Sequence, residues 1–448
     1  MTSSTFTDLT TLACVFFIFL VPFAAAGLSL MNVGLGRSRS AGHMMMASLC
    51  AIAVAGIAYF AIGFAWQGAI GGPAHALNFS GKNWNWIAAE PFFLRKLSFD
   101  GSAASLTALL QIFSVGLAAL IPLGSGADRW RLRGICLSTS VLAMLTYPLF
   151  AHWVWGGGWL AQLGANCGIG SGFLDAGGAS TIQAVGGLTA LAITWILGPR
   201  RGKYSADGMA PAIPGHNSVF VLFGCILALV GWIGLNTAGA ILFTGSAATA
   251  AALIAINTTL SASASALTAA FITKVRFGKP DASLTSNGWV GGLVASSASC
   301  AFVSPAEALV IGSIAGTAIT FAIEMLELRL EVDDPGGVIS VHAVGGIWGL
   351  LALGVFGQFQ RPVLNVAADA GATALSGVPA GQWLAQVIGV ATLLGFVLPL
   401  TYAANLILNR FYPYRVSVEG ERQGMDLHEL GAGAYPEFMT HTDEFLPR

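Results

Sequence analysis

The chain has 448 residues, of which 55% are apolar and only 9% carry a formal charge, against about 25% in a soluble globular protein. That composition excludes an ordinary soluble domain, and 20 basic against 21 acidic residues leave no surplus of positive charge to hold nucleic acid. With 57 glycines the chain reads instead as helices packed closely inside lipid, an all-α polytopic membrane protein.

Stretches of about 20 mostly apolar residues, the length that crosses a bilayer, recur eleven times. The predicted helices run approximately over 8–32, 41–67, 101–125, 133–155, 176–199, 217–238, 247–273, 284–303, 306–328, 337–358 and 381–408. The first follows a short polar start without the positive segment of a cleaved leader, so it is expected to stay as a helix. The eighth and ninth are divided only by Val303-Ser304-Pro305, and the seventh is a weakly hydrophobic run of small residues. A transmembrane part, 1–408, is expected, followed by a polar tail, 409–448. Six scattered cysteines form no C-x-x-C or Cys/His cluster, so neither zinc nor a disulfide framework is expected, and no cofactor.

The connections alternate in charge. Loops after the odd-numbered helices and the tail hold sixteen Lys and Arg; loops after the even-numbered helices hold only Lys82, Arg95, Lys96 and Arg361. Positive charge gathers on the cytoplasmic side, which predicts an outside N-terminus, a cytoplasmic C-terminus and an odd number of helices.

Asp175 to Gly187 reads D-A-G-G-A-S-T-I-Q-A-V-G-G, and Asp334 to Gly346 reads D-P-G-G-V-I-S-V-H-A-V-G-G. The first copy opens the fifth helix from the outside face, the second opens the tenth from the inside face. An inverted repeat of five helices plus five follows (8–199 and 217–358), with a peripheral eleventh helix. In such repeats the transport site lies near the midplane. Gln183 and His342 stand at matching places about two turns into their helices, where a polar side chain in lipid must face a polar path or a partner. Their alternative reading is a structural hydrogen bond between helices.

Further along stand Ala151-His152-Trp153-Val154-Trp155-Gly156-Gly157-Gly158, Pro214-Gly215-His216-Asn217, Gly231-Trp232 with Asn236, Asn257-Thr258-Thr259-Leu260, Arg276-Phe277-Gly278-Lys279-Pro280-Asp281, Cys300 to Pro305, Val332-Asp333-Asp334-Pro335, and Gly424-Met425-Asp426-Leu427 to Ala434-Tyr435. In these motifs, over nearly the whole chain, the sequence resembles the Amt/Mep/Rh family of ammonium transporters, on its Amt-like branch. The resemblance implies no enzyme but a homotrimer in the cell membrane, by expectation a bacterial inner membrane, with one pore per subunit that recruits ammonium and passes ammonia. It implies recruitment at Trp155, whose ring face can hold a small cation, and at Asp175, which also suits an N-cap.

Two departures stand out. His342 matches the second of the family's paired pore imidazoles, while Gln183 replaces the first; an amide offers hydrogen bonds but no protonation state near neutrality. The family's two gate phenylalanines align with Ser114 and Leu222, with Phe113 and Phe223 adjacent as stand-ins. The alternatives are therefore an ammonium sensor with little flux, or a channel for another small polar solute such as methylamine or a neutral amide. A PII-type signal protein is a candidate partner for the cytoplasmic face. His216 and Asn217 are expected to cap a helix or hold a loop, and Glu324 and Glu327 to pair with Arg329.

Overall fold

The computed structural model describes residues 7–205, 210–361 and 375–436. Ten helices among them are long and apolar enough to span a membrane: α1 Asp8–Leu35, α2 Ser38–Gln67, α3 Ala103–Gly126, α4 Leu132–Val154, α5 Ala179–Leu197, α6 Ser218–Thr244, α7 Ala248–Phe277, α9 Pro305–Leu328, α10 Ile339–Phe356 and α11 Gln382–Phe411. The eleventh, α8 Ala282–Ser297, has only 16 residues. It is shorter than the predicted 284–303 because the chain turns through Ala298–Ser304 before the Ser304–Glu307 capping box starts α9.

Two faces can be distinguished. One carries a twisted hairpin, β1 Ala74–Phe79 against β2 Lys82–Ala88, and is called here the hairpin face. The other carries the C-terminal segment and is called the tail face. The hairpin sits over the end of α4: Asn85 donates to the Gly157 carbonyl, and the Trp86 carbonyl accepts from Trp153 Nε1.

The repeat explains the central packing. In each copy the second glycine of D-x-G-G takes a positive φ, 93° at Gly178 and 66° at Gly337, the conformation that lets the chain turn sharply into its helix. Where α5 crosses α10, the last glycine of each copy packs against an alanine of the other helix. A methyl group on Gly187 would lie 2.4 Å from the Ala343 nitrogen, and one on its counterpart Gly346 would lie 2.5 Å from the Ala179 oxygen. The preceding glycines face helices of their own halves, Gly186 against Ile121 of α3 and Gly345 toward Gly291 and Val294 of α8. The pseudo-twofold relation extends to α1 and α6, whose backbones meet at Gly27 and Gly224, with Gly231 against Ala24. Lipid gives no hydrophobic drive between helices, so this close backbone approach is what holds the halves together. Gly231→Val is expected to abolish accumulation of folded protein, because even a Cβ there would stand 2.0 Å from the Ala24 nitrogen; detergent-solubilised yield and elution profile check this.

On the tail face, buried Arg129 donates to the carbonyls of Gly198, Ala127 and Asp333, while Arg200 grips the Asp333 carboxylate through Nε and Nη2 at 2.9 Å each. Burial alone would push Asp333 up, but the Arg200 hydrogen bonds and the charges of Arg129 and Arg200 hold its carboxyl below the usual range. Glu324 and Glu327 pair with Arg276 of α7 and Lys203 of the α5–α6 connection, which corrects the expected pairing with Arg329. Both partners come from elsewhere in the chain, so these pairs tie elements together.

The tail itself supplies caps. Asp426 accepts from the Gly42 and His43 amides at the start of α2, Glu429 from the Leu132 amide at the start of α4, and Glu421 from Arg415 and the Arg201 amide. Each of the first two places a carboxylate at a helix N-terminus, where unpaired amides and the dipole favour it. Asn217 caps α6, and His216 bonds Gly36 O and Tyr435 Oη.

Candidate functional site

At the centre of the molecule α5 and α10 both begin with a π-helical turn, Ala179–Ala184 and Ile339–Val344, a feature frequent at functional sites. These turns carry Gln183 and His342, both buried, and the repeat brings them together: His342 Nδ1 lies 2.7 Å from Gln183 Oε1. The amide oxygen can only accept, so Nδ1 carries the proton in this pair. The Gln183 amide nitrogen has no protein partner.

From His342 a narrow crevice leads toward the tail face between Met31, Asn32, Val290 and Val341. Leu35 and Asn287 form part of its wall and part of the wall of a larger cavity, 450 Å³, that opens on the tail face. His342 therefore borders a narrow crevice that shares a wall with the larger cavity.

Toward the hairpin face stand Asp175 and Trp155. Asp175 caps α5 with both oxygens: Oδ1 accepts from the Gly178 and Ala179 amides at 2.8 and 2.9 Å, and Oδ2 from the Ser180 amide and hydroxyl at 2.7 and 2.5 Å. Its carbonyl accepts from Trp155 Nε1 at 2.7 Å. The indole is buried, and one of its faces stacks on Phe243, with centroids 4.2 Å apart and planes within 11°. Phe243 escapes a reading of the sequence because no motif marks it; its position is set by where α6 ends, at the left-handed Gly245.

The two aligned gate positions do not meet. Ser114 is buried on α3, its hydroxyl turned back to the Leu110 carbonyl at 2.8 Å. Leu222 is 44% exposed on the outside of α6, and Phe223 is more exposed still. The expectation that Leu222 lines the pore is thereby corrected. Thirteen residues further along, Leu235 is buried beside Trp232 and Asn236; at 100° per residue it lies about 220° around the helix from Leu222. Phe113 remains partly buried against the core.

Next to Ser114 lies a polar group that the sequence does not announce. Gln111 of α3 bonds Tyr147, Tyr59 donates to Gln67 at 2.9 Å, and His152 Nδ1 meets the Gln67 carbonyl at 2.8 Å. Tyr59 and Tyr147 touch edge to face.

Among the described residues no group of three or more His, Cys, Asp or Glu could hold a metal ion.

Comparison with known proteins agrees with this architecture. The chain is 37% identical over 439 residues to ammonium transporter Amt2 of Archaeoglobus fulgidus, covering 96% of this chain and 88% of that protein. It is 29% identical over 420 residues to an ammonium transporter of Bacillus subtilis, covering 94% and 96%. Among solved structures it superposes on a sensor Amt protein with a TM-score of 0.81 at 25% identity, covering 94% of this chain and 98% of that one. The fold is also that of Candida albicans Mep2, with a TM-score of 0.76 at 22% identity and coverages of 98% and 93%. A family model described as Ammonium Transporter Family matches residues 12–435. The close-packed inverted repeat, the polar pair at its centre and this match over almost the full length lead to one conclusion: the chain belongs to the ammonium transporter family.

Proposed function

We propose that this chain is a channel-type transporter that takes up ammonium at the hairpin face and delivers ammonia through each subunit to the tail face. The observation that carries the reading is the hydrogen-bonded Gln183 and His342 pair in a buried, mostly apolar interior, with a narrow crevice beside His342 on the tail-face side. An ion crossing such an interior would pay a large desolvation cost, whereas neutral ammonia can exchange hydrogen bonds with the free Gln183 amide and the imidazole. Relatives named as transporters favour transport over sensing. The test is growth on limiting ammonium of cells that lack their own uptake; a well-inserted protein that fails to support growth would overturn the reading.

In this proposal Trp155 and Asp175 recruit the cation. Phe243 covers one face of the indole. Phe243→Ala uncovers it and is expected to raise initial uptake at limiting ammonium about two- to fivefold, the scale of a cation–π contact of ~0.5–1 kcal/mol. Uptake unchanged in the variant would show that the other face serves.

The excess of Lys and Arg on the tail face supports its assignment as cytoplasmic, and family membership supports a homotrimer in the cell membrane, in a bacterium the inner one. A PII-type protein at that face belongs to the same proposal. Residues 409–448 would form its regulatory segment. Deleting 418–448 removes the carboxylates that cap α2 and α4 and is expected to lower uptake severalfold while insertion persists, as measured by uptake per folded protein.

A further inference from the structure

The repeat places a second aspartate, Asp334, at the start of α10 on the tail face, at the position that Asp175 holds on the hairpin face. The two copies do not satisfy it equally. The counterpart of Ser180, whose amide and hydroxyl both donate to Asp175, is Ile339, which brings an amide but no hydroxyl. The counterpart of Gly178 is Gly337, whose amide bonds the Asp334 main-chain carbonyl instead of its side chain. Asp334 Oδ2 thus accepts from Ile339 at 2.7 Å, while Oδ1 is buried without a protein partner. Burial pushes this carboxyl up to about 7, against the pull of the Ile339 and Val338 amides, as expected of a carboxylate short of positive charge.

Asp334 lines the 450 Å³ cavity that leads to the crevice beneath His342. The other charges lining that cavity are already engaged. Arg200 is held by Asp333 and Asp128, Lys203 by Glu327, Arg276 by Glu324, and Asp281 caps α8. Five carboxylates against three cationic side chains leave the cavity negative, and among them Asp334 is the one with a buried oxygen that no protein group pairs.

We propose that Asp334, in this tail-face cavity, forms a binding site for a small monovalent cation of the ammonium type, the inner counterpart of the site at Asp175. Ammonia leaving the pore past His342 would be held there once protonated, and ammonium arriving from the tail face would dwell there before reverse flow. The site deepens the transport reading and rests on it for its substrate, but its occupancy can be measured without any flux.

Thallium(I), a monovalent ion of similar size with a strong anomalous signal, is the probe. Crystals of the full chain soaked in a thallium salt are expected to show an anomalous peak within coordination distance of the Asp334 carboxylate, weakened by competing ammonium. Asp334→Asn, which keeps an acceptor for the Ile339 amide but removes the charge, is expected to lose the peak. No peak at Asp334 in the parent, a peak that ammonium does not displace, or one that survives in Asp334→Asn would each overturn the site; should the variant fail to fold, the competition in the parent decides. In liposomes, Asp334→Asn is expected to raise the apparent KM for flux from the tail face at least about fivefold, or ~1 kcal/mol of site affinity, with that from the hairpin face unchanged. Uptake by the parent without the peak refutes the site alone, whereas a peak without uptake refutes the transport reading alone.

Discussion

Asp175→Ala is expected to remove most transport and part of the folded protein with it. The alanine leaves three amides and a hydroxyl at the start of α5 with no acceptor, and each such buried donor costs about 1–3 kcal/mol. The opening of α5 also fixes where Gln183 stands, about one turn in from Ala179, so the distortion reaches the centre of the molecule. Loss of a single contact of ~1.4 kcal/mol at entry already corresponds to about tenfold in rate. Asp175→Asn should be milder in stability, because its oxygen can still accept from Gly178 and Ala179, yet equally poor in uptake if the carboxylate charge attracts the cation. Uptake normalised to folded protein, measured beside thermal melting, separates the two effects: full flux in a correctly folded Asp175→Asn would show that the residue is only a cap.

The second large effect concerns charge. In the parent, His342 faces an amide that has no protonation state to lend, so ammonia is expected to move with less than one charge per molecule. Gln183→His restores two adjacent imidazoles and is expected to raise the ratio of current to uptake severalfold. His342→Ala leaves the Gln183 amide oxygen without its donor and removes the one titratable side chain of the pair, and is expected to cut uptake about tenfold, as loss of ~1.4 kcal/mol would. Solid-supported membrane currents and labelled methylammonium uptake, taken together across pH, make the comparison. A parent that already moves one charge per ammonium, with Gln183→His indistinguishable from it, would place the proton path elsewhere.

Much of the architecture is legible in the sequence because lipid imposes simple rules. Length and apolarity locate the helices, and the thirteen-residue repeat reveals the inverted symmetry and pairs Gln183 with His342 before any coordinate is known. The gate is where the reading fails: the alignment marks Leu222 as a position in the sequence, but which side of α6 faces the interior is set by how that helix packs, and Leu222 lies on the exposed side. Phe243 stays hidden for the opposite reason, since its stacking on Trp155 depends on how α6 ends against α4 and not on any local pattern. Glu327 finds Lys203 across 124 positions, a pairing that no window of sequence contains. Asp334 was visible as a repeat position, but that its carboxylate is left short of donors becomes evident only when Ile339 is seen where Ser180 stands in the other copy.

The close approach of Gly187 to Ala343 and of Gly346 to Ala179 bears on how fast such a protein can work. With backbone against backbone at the crossing of α5 and α10, and again where α1 meets α6, the two halves have no slack in which to tilt past one another. A carrier that exposes its cargo first to one side and then to the other must open such seams in every cycle. If passage needs no such opening, what must move are side chains, which reorient on a timescale far shorter than that of domain motion. Turnover should then respond only weakly to temperature and to the stiffness of the surrounding lipid, and a chemical crosslink between α1 and α6 should leave it intact.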